Sequence, residues 1–404
     1  MASVAATMEA APAAGAIATP AGRVASVDIL RGIVMVVMAL DHVRDYFTNV
    51  RFQPEDLTQT NPALFFTRWI THFCAPSFVF LAGTGAFLSL GRGRDVRALS
   101  RFLWTRGLWL VLLEFTAVRS AWLFSVSPAA GYFGQVIWVL GISMIVLAAL
   151  VRLPLGWIAG FGITMIAGHN LLDGIRIPPT TPAGWLWSFL HVQNLLFNGP
   201  QPFFFVVYPV IPWVGVMAAG YAFGALLQRP EAERRRTLLR LGGAMTLAFI
   251  VLRLVNVYGD LSRWSVQRDV ITTVMSFLNT SKYPPSLDYL LMTLGPAIMS
   301  LAAFERSTGP VARFFAVFGR VPLFYYLAHI VLAHLLAGLT ALALGFGTAV
   351  LFGNVFFAPV QDWGFGLGVV YLVWFIVIGL LYLPCRWYAD LKARRRDLVL
   401  LSYL

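Results

Sequence analysis

Long apolar segments recur along this sequence from residue 27 to residue 384. A helix that crosses a bilayer needs about 20 mostly apolar residues. Hydrophobic residues make up 59% of the chain and charged residues 12%, whereas soluble proteins carry about 25% charged residues. The pattern predicts an all-α polytopic integral membrane helical bundle of about ten transmembrane helices. The predicted spans are 27–47, 63–90, 102–126, 132–151, 154–172, 203–227, 237–257, 286–304, 315–344 and 363–384.

The positive charge of the chain is distributed as a topology signal. The net charge is +12, and its excess lies in short loops between the apolar segments. Such loops usually face the cytoplasm, so this distribution argues against a nucleic-acid partner. We therefore expect both termini to be cytoplasmic, together with the basic loops at 91–101, 152–153, 228–236 and 305–314.

The two ends of the chain differ from the segment between them. Residues 1–22 are rich in alanine and lack a basic region followed by an apolar core, so they predict a disordered tail rather than a secretory signal. Residues 23–384 form the predicted transmembrane domain, and residues 385–404 form a basic cytoplasmic tail.

The first predicted helix, within Arg23–Tyr46, carries charge at both ends of its apolar run. Ionisable groups near the hydrocarbon cost about 2.5–3.5 kcal/mol at a helix centre on insertion scales and usually mark a site. Arg31 and His42 are eleven residues apart, so they share one helix face at a separation of roughly 16 Å. We expect this face to contact other helices. The charged and titratable residues are Asp28, Arg31, Asp41, His42, Arg44 and Asp45.

His42 is the first candidate for chemistry. Asp41 is its neighbour and Asp45 lies about one turn further along. A carboxylate at this spacing can hold the second ring nitrogen of a histidine and raise its basicity, as a general base requires. The alternative is a structural histidine that caps a polar helix end.

Other ionisable residues within predicted spans are weaker candidates. His72 is a second catalytic candidate, although a packed polar pair with Arg68 is the simpler interpretation. His329 lies in the middle of a span and is expected to face a cavity. Glu114 is too deep to reach water and is expected to pair with Arg119 or with Arg31; a buried ion pair is as good an explanation as catalysis. Further polar lining is expected from Arg106, Gln135, Arg320 and Tyr325.

Several common kinds of site have no support in the sequence. Cys74 and Cys385 lie in different predicted spans, so no disulfide or cysteine-based metal site is indicated. The histidines are spread over distant spans without an HExxH pattern, and we expect no metal. Phosphate-loop and GxSxG patterns are absent as well. A histidine-centred site within a helical bundle, or a transporter, remains.

Several blocks of the sequence resemble a known family. VDILRGIVMVVMALDHVRDYF is similar to the first helix of bacterial proteins grouped with the catalytic domain of heparan-α-glucosaminide N-acetyltransferase, and THFCAPSFVFLAGTGAFLS is similar to the second helix. The likeness extends over roughly residues 23–384. The first helix also resembles that of membrane O-acyltransferases, in which a histidine follows an Arg-Gly pair at the spacing of Arg31, Gly32 and His42.

The resemblance implies an acyltransferase of the bacterial cytoplasmic (inner) membrane. Acetyl-CoA would donate an acetyl group to a hydroxyl or amine of an envelope glycan or a small-molecule acceptor. The lysosomal enzyme of the family has its active histidine in the loop after the first helix. This chain has no histidine between Thr48 and Thr71, so His42 or His72 would take the role. The residues expected to hold acetyl-CoA are Arg31, Arg106, Arg320 and His329.

Three alternatives remain open at this stage. A histidine could carry the acetyl group covalently across the bilayer. A transporter or flippase is the rival function, but it predicts internal repeats, and none is convincing between 27–200 and 203–384. A non-catalytic scaffold leaves the buried ionisable groups unexplained. Membrane lipid is an expected partner, and a homodimer is a further option.

Overall fold

The computed structural model describes residues 25–91, 93–197, 203–353, 360–395, 397–398 and 401. The predicted tail 1–22 and parts of the predicted tail 385–404 lie outside these residues. Helices form nearly all of the regular structure. Their bounds are α1 Ala25–Phe47, α2 Pro62–Trp69, α3 Cys74–Leu90, α4 Val96–Leu113, α5 Arg119–Leu123, α6 Val136–Leu150, α7 Leu155–Gly168, α8 Pro182–Leu190, α9 Val210–Phe223, α10 Glu231–Val255, α11 Val270–Leu278, α12 Leu287–Phe304, α13 Pro310–Arg320, α14 Pro322–Ala343, α15 Ala349–Phe352 and α16 Leu367–Arg394.

Within the described residues, seven helical segments are long and apolar enough to cross a membrane. This confirms the predicted all-α polytopic membrane bundle. The other three predicted spans correspond to α1, to the α4–α5 region and to α6. The first two carry more charge than an ordinary span, and α6 has only 15 residues. The total of ten therefore stays a prediction. The seven segments are Pro62–Leu90, Leu155–Leu172, Val210–Gln228, Glu231–Val255, Leu287–Phe304, Pro322–Ala343 and Leu367–Arg394.

Helix α1, which carries charge at both ends, is the centre of the bundle. It packs against α3, α12, α13, α14 and α16. Two hydrogen bonds to its backbone fix neighbours in place: Cys74 Sγ donates to the Val34 carbonyl oxygen at 3.3 Å, and Trp374 Nε1 donates to the Val36 carbonyl oxygen at 2.8 Å. A central position keeps the polar ends of α1 away from lipid, where they would be costly.

The closest approach of α1 is to α13, and two glycines make it possible. A Cβ on Gly32 would overlap the carbonyl oxygen of Phe315, and one on Gly319 would overlap that of Asp28. Small residues allow helix backbones to meet in this way inside membranes, where dispersion rather than water exclusion drives association. The Arg-Gly pair that contributed to the family resemblance thus has a packing role.

We expect Gly32→Ala to lower the stability of the bundle by about 1–3 kcal/mol, because the added methyl group must push α13 away from α1. Thermal unfolding of the purified protein in detergent measures the loss. Gly379→Ala on the exposed face of α16 is the matched control, because a Cβ there meets nothing within 4 Å and alanine favours a helix over glycine. Equal unfolding temperatures for the two variants would contradict the prediction.

The two ends of the bundle are distinguished by charge. Two of the predicted basic loops, 228–236 and 305–314, meet at one end, where Arg306 Nε donates to Glu231 Oε1 at 2.8 Å and Arg234 pairs with Glu305. We call this end the basic side. At the opposite end the longer loops meet, and there Asn279 Nδ2 donates to the Glu55 carbonyl oxygen at 2.9 Å.

A small sheet at the opposite end was not predicted. Strand β1 (Tyr132–Gly134) pairs in parallel with β3 (Phe204–Val206), and β2 (Asn194–Leu196) pairs with β3 in antiparallel fashion. The predicted spans 132–151 and 203–227 therefore begin too early, since their first residues form strands and the helices start at Val136 and Val210. The strands are rich in aromatic residues, so hydropathy alone does not separate them from the helices that follow.

Candidate active site

Two cavities lie along one face of α1. The large cavity, of about 750 Å³, opens towards the end opposite to the basic side and is lined by polar and aromatic residues. The small cavity, of about 240 Å³, lies nearer the basic side and is mostly apolar. Four residues line both cavities, and we call them the waist: Met38, Phe78, Val136 and Tyr326.

The predicted stripe on α1 lines both cavities. Arg31 lies in the small cavity and His42 in the large one, and Met38 lies between them at the waist. The shared face that the eleven-residue spacing predicts is therefore present. It connects a guanidinium near the basic side with an imidazole near the opposite side.

His42 forms a pair with His329 of α14. The Nδ1 atom of His42 lies 2.7 Å from the Nε2 atom of His329, and the two rings are nearly parallel, at 5°. His329 is fully buried, and its Nδ1 atom lies 2.7 Å from the carbonyl oxygen of Tyr325. The edge of Trp122 packs against the other side of His42, with ring centroids 4.9 Å apart. These contacts hold the His42 ring in one orientation.

The pair also determines the tautomer of each neutral ring. A carbonyl oxygen only accepts, so His329 must carry its proton on Nδ1, and its Nε2 atom is an acceptor. His42 must then carry its proton on Nδ1 and donate from that atom, so its Nε2 atom has no proton and a free lone pair. Since His42 lines the large cavity, this nitrogen can take a proton from a molecule there.

The carboxylates predicted to orient His42 are engaged elsewhere. Arg44 Nη2 donates to Asp41 at 2.7 Å and to Asp45 at 2.9 Å, and Arg68 pairs with the second oxygen of Asp41. Arg44, three residues after Asp41, binds these carboxylates in place of His42, because a charge-assisted hydrogen bond is stronger than a hydrogen bond to a neutral imidazole. The predicted contact from Asp41 or Asp45 to His42 is thus replaced by the contact from His329. Both aspartates still line the large cavity.

A second half of this ion-pair network reaches the loop before α2. Arg68 Nε donates to Glu55 Oε1 at 2.7 Å, and His72 Nε2 lies 3.4 Å from the same oxygen. The predicted pairing of His72 with Arg68 is therefore indirect, through Glu55. His72 is buried and is not among the residues that line the large cavity, whereas Glu55 and Arg68 are. The structure places only one of the two candidate histidines, His42, where a substrate can reach it.

Glu55 gives the network a pH dependence. Burial raises the pKa of this carboxyl, but the Arg68 charge and a hydrogen bond from His72 outweigh burial and hold the pKa well below its usual value. In the unfolded chain Glu55 takes up its proton at about pH 4.3, so the unfolded state binds more protons below that pH. Stability from this group is therefore present above about pH 4.3 and is lost as the pH falls further.

We expect Glu55→Gln to unfold at a lower temperature than the parent at pH 7, because the side chain no longer has an ionised state. For the same reason, we expect this variant to lose less additional stability than the parent when the pH falls from about 5 to about 3. Unfolding temperatures in detergent across this range measure both effects. Glu233→Gln is the control, since the Glu233 side chain is 56% exposed beside Arg229. An acid slope for Glu55→Gln as steep as that of the parent would refute the assignment.

Two of the four residues predicted to hold acetyl-CoA line a cavity, and the other two do not. Arg31 and Arg106 line the small cavity, and Arg31 reaches the carbonyl oxygens of Gly319 and Leu81 at 3.4 and 3.5 Å. Neither Arg320 nor His329 is among the residues that line either cavity. His329 in particular lies behind His42, so it can act on a substrate only by positioning that ring.

The predicted pairing of Glu114 is wrong. Its Oε2 atom accepts a hydrogen bond from the backbone N–H of Trp138 at 2.7 Å. Glu114 begins a π-helical turn, Glu114–Val118, which lies between α4 and α5. Arg119 instead donates to backbone carbonyl oxygens, including those of Gly131 and Ser125. Backbone partners of this kind leave no pattern in a sequence.

The large cavity also contains residues that sequence reasoning did not assign to a site. Lys282 and Tyr283 come from the loop between α11 and α12, and Gln193 from the segment after α8. A basic residue next to a tyrosine in a long loop was the available signal. Aromatic rings, amide groups and charges together give this cavity both apolar surfaces and hydrogen-bonding groups, as ligand sites usually have. Gln135, which the sequence predicts as polar lining, lies in this cavity too, and further lining residues are Gln53, Trp122, Phe133, Phe205, Tyr208 and Asn279.

A helical membrane bundle with a histidine pair at a polar cavity has the layout of a membrane-embedded enzyme. The family of the heparan-alpha-glucosaminide N-acetyltransferase catalytic region matches residues 23–256, which is more than half of the chain. The chain belongs to this family, which confirms the resemblance to the heparan-α-glucosaminide N-acetyltransferase catalytic domain over residues 23–256. The family supports an acetyltransferase-like membrane enzyme. No curated protein matches the chain.

Proposed function

We propose that this protein transfers an acetyl group from acetyl-CoA, which enters from the cytoplasm, to an amine or hydroxyl group of a sugar on the other side of the membrane. The observation that carries the proposal is the meeting of the two cavities at a waist beside His42. The family supplies the reaction class, and the cavities supply separate places for a donor and an acceptor.

The small cavity suits the donor. By the positive-inside rule, the basic side faces the cytoplasm. In this proposal the protein lies in the inner membrane of the cell, and both of its termini are on the cytoplasmic side. Arg31 and Arg106 line this cavity, and guanidinium groups bind phosphates well. From Arg31 to His42 the helix rises roughly 16 Å, which is comparable to the extended pantetheine arm of CoA. The apolar walls suit that arm and the acetyl thioester at its end.

The large cavity suits the acceptor. An acceptor group near Nε2 of His42 loses its proton to this nitrogen as it attacks the thioester carbon. His329 stabilises the imidazolium that forms, because it accepts the hydrogen bond from Nδ1. An acetyl-histidine intermediate would be required if the donor and the acceptor were held apart. Because both substrates can reach the waist at the same time, direct transfer is preferred.

The test uses the purified full chain in lipid nanodiscs. Equilibrium binding of labelled acetyl-CoA is measured first, and transfer of label is then measured to p-nitrophenyl α-glucosaminide, an amine acceptor, and to p-nitrophenyl α-glucoside, which offers only hydroxyl groups. We expect binding of acetyl-CoA, labelling of one of the two sugars, and no label on the protein. Failure to bind acetyl-CoA would overturn the proposal, and stable labelling of the protein would overturn direct transfer.

A further inference from the structure

Tyr326 in the first turn and a half of α14 holds a polar atom at the waist. Of the four residues that line both cavities, the other three (Met38, Phe78 and Val136) have side chains without a hydrogen-bond donor. The tyrosine is 3% exposed, and its hydroxyl proton has no acceptor among the described residues, although the Trp122 side chain interacts with its oxygen. Leaving a buried hydroxyl unsatisfied costs about 1–3 kcal/mol.

The surroundings of the ring fix where this hydroxyl can act. The edge of the Tyr326 ring meets His42, with centroids 6.0 Å apart and planes at 82°, and it meets His329 at 5.8 Å and 78°. Trp122 packs on the same imidazole, and its indole N–H can only donate. A contact from Trp122 would therefore use a lone pair of the phenol oxygen and leave the phenol proton for another acceptor.

We infer that the Tyr326 hydroxyl donates a hydrogen bond to the carbonyl oxygen of the acetyl thioester and stabilises the negative charge that develops there. This inference rests on the proposed function. A thioester that arrives through the small cavity must pass its carbonyl group through the waist to come within reach of an acceptor beside His42. At that point Tyr326 is the donor that the waist provides.

The acceptor nitrogen or oxygen forms a bond to the carbonyl carbon, and its proton passes to Nε2 of His42. The π electrons of the C=O bond move onto the oxygen, which Tyr326 stabilises by its hydrogen bond. When the C=O bond re-forms, the C–S bond breaks, and the CoA sulfur takes the proton from the imidazolium. Tyr326 keeps its own proton throughout, and no oxidant or further reactant is needed.

The test compares Tyr326→Phe with Tyr388→Phe. Tyr388 of α16 is a matched control, because its hydroxyl is also buried without an acceptor among the described residues and it lies outside both cavities. Loss of one oxyanion donor lowers kcat about 10²–10³-fold, so we expect Tyr326→Phe to lose this much in transfer with KM for acetyl-CoA little changed. Tyr388→Phe should retain the activity of the parent.

A second measurement does not depend on turnover. Infrared difference spectra of bound acetyl-CoA, labelled with ¹³C at the carbonyl carbon, report the hydrogen bond as a lower C=O stretching frequency. We expect the parent and Tyr388→Phe to share the lower frequency and Tyr326→Phe to lose the shift. An unchanged frequency and transfer within twofold of the parent would overturn the inference alone. A parent protein that binds no acetyl-CoA would overturn the proposed function itself.

Discussion

Replacement of His42 by alanine is expected to lower kcat for acetyl transfer by about 10²–10⁴-fold, the usual contribution of a general base. The structure gives the reason, because His42 is the candidate histidine with an unprotonated nitrogen in the large cavity. Binding of acetyl-CoA should change little, since Arg31, which would hold the CoA phosphates, lies about three helix turns away. Rates in nanodiscs and equilibrium binding measure the two quantities separately.

The control for this experiment is His72→Gln, which changes the other candidate histidine. His72 is buried beside Glu55 and does not line the large cavity, so we expect transfer to stay within a few-fold of the parent. If His42→Ala retains full transfer and His72→Gln loses it, the active histidine is His72 and the assignment made here is wrong. Thermal unfolding of both variants separates a lost base from a lost fold.

Replacement of Arg68 by methionine is expected to destabilise the protein by about 3–5 kcal/mol, the typical effect of removing one partner of a buried ion pair. Arg68 binds Asp41 and Glu55 together, and its side chain is 10% exposed. Without it, two carboxylates of separate segments would face each other in a poorly solvated site. Unfolding temperature and the fraction of folded protein recovered in detergent measure the loss.

Two further variants sharpen this prediction. Arg229→Met removes the cation of an exposed pair in which Arg229 is 45% exposed, and such pairs contribute about 0–1 kcal/mol. In a triple variant, Arg68→Met is combined with Asp41→Asn and Glu55→Gln, so that no unpaired carboxylate remains. We expect the triple variant to recover part of the stability. If Arg68→Met unfolds at the temperature of Arg229→Met, the network has no structural role.

The sequence predicted the bundle well because hydrophobicity and helix length are local properties. Each predicted span overlaps an observed helix, and the spacing of Arg31 and His42 placed both residues on the face that lines the cavities. The starts of α6 and α9 were predicted too early because three-residue strands precede them. Hydropathy cannot distinguish a short aromatic strand from the first turn of an apolar helix.

The partners of His42 could not be predicted because they depend on packing between distant segments. His329 lies 287 residues further along the chain, and nothing local shows that its Nε2 atom faces His42. Asp45, by contrast, was chosen for its helical spacing, yet Arg44 binds it. Sequence spacing indicates which groups can meet on one helix, whereas competition among all the neighbours decides which of them do.

The waist has a consequence for the electrical properties of the protein. Where water enters a membrane protein from two directions, the transmembrane voltage drops mainly across the dry layer between the two wet regions. Here the side chains between the two cavities are those of Met38, Phe78, Val136 and Tyr326. One elementary charge that crosses the full drop gains or loses about 2.3 kcal/mol per 100 mV. In the proposed reaction the imidazolium of His42 and the departing thiolate would both form at the edge of this layer, so the membrane voltage would act directly on the atoms that react.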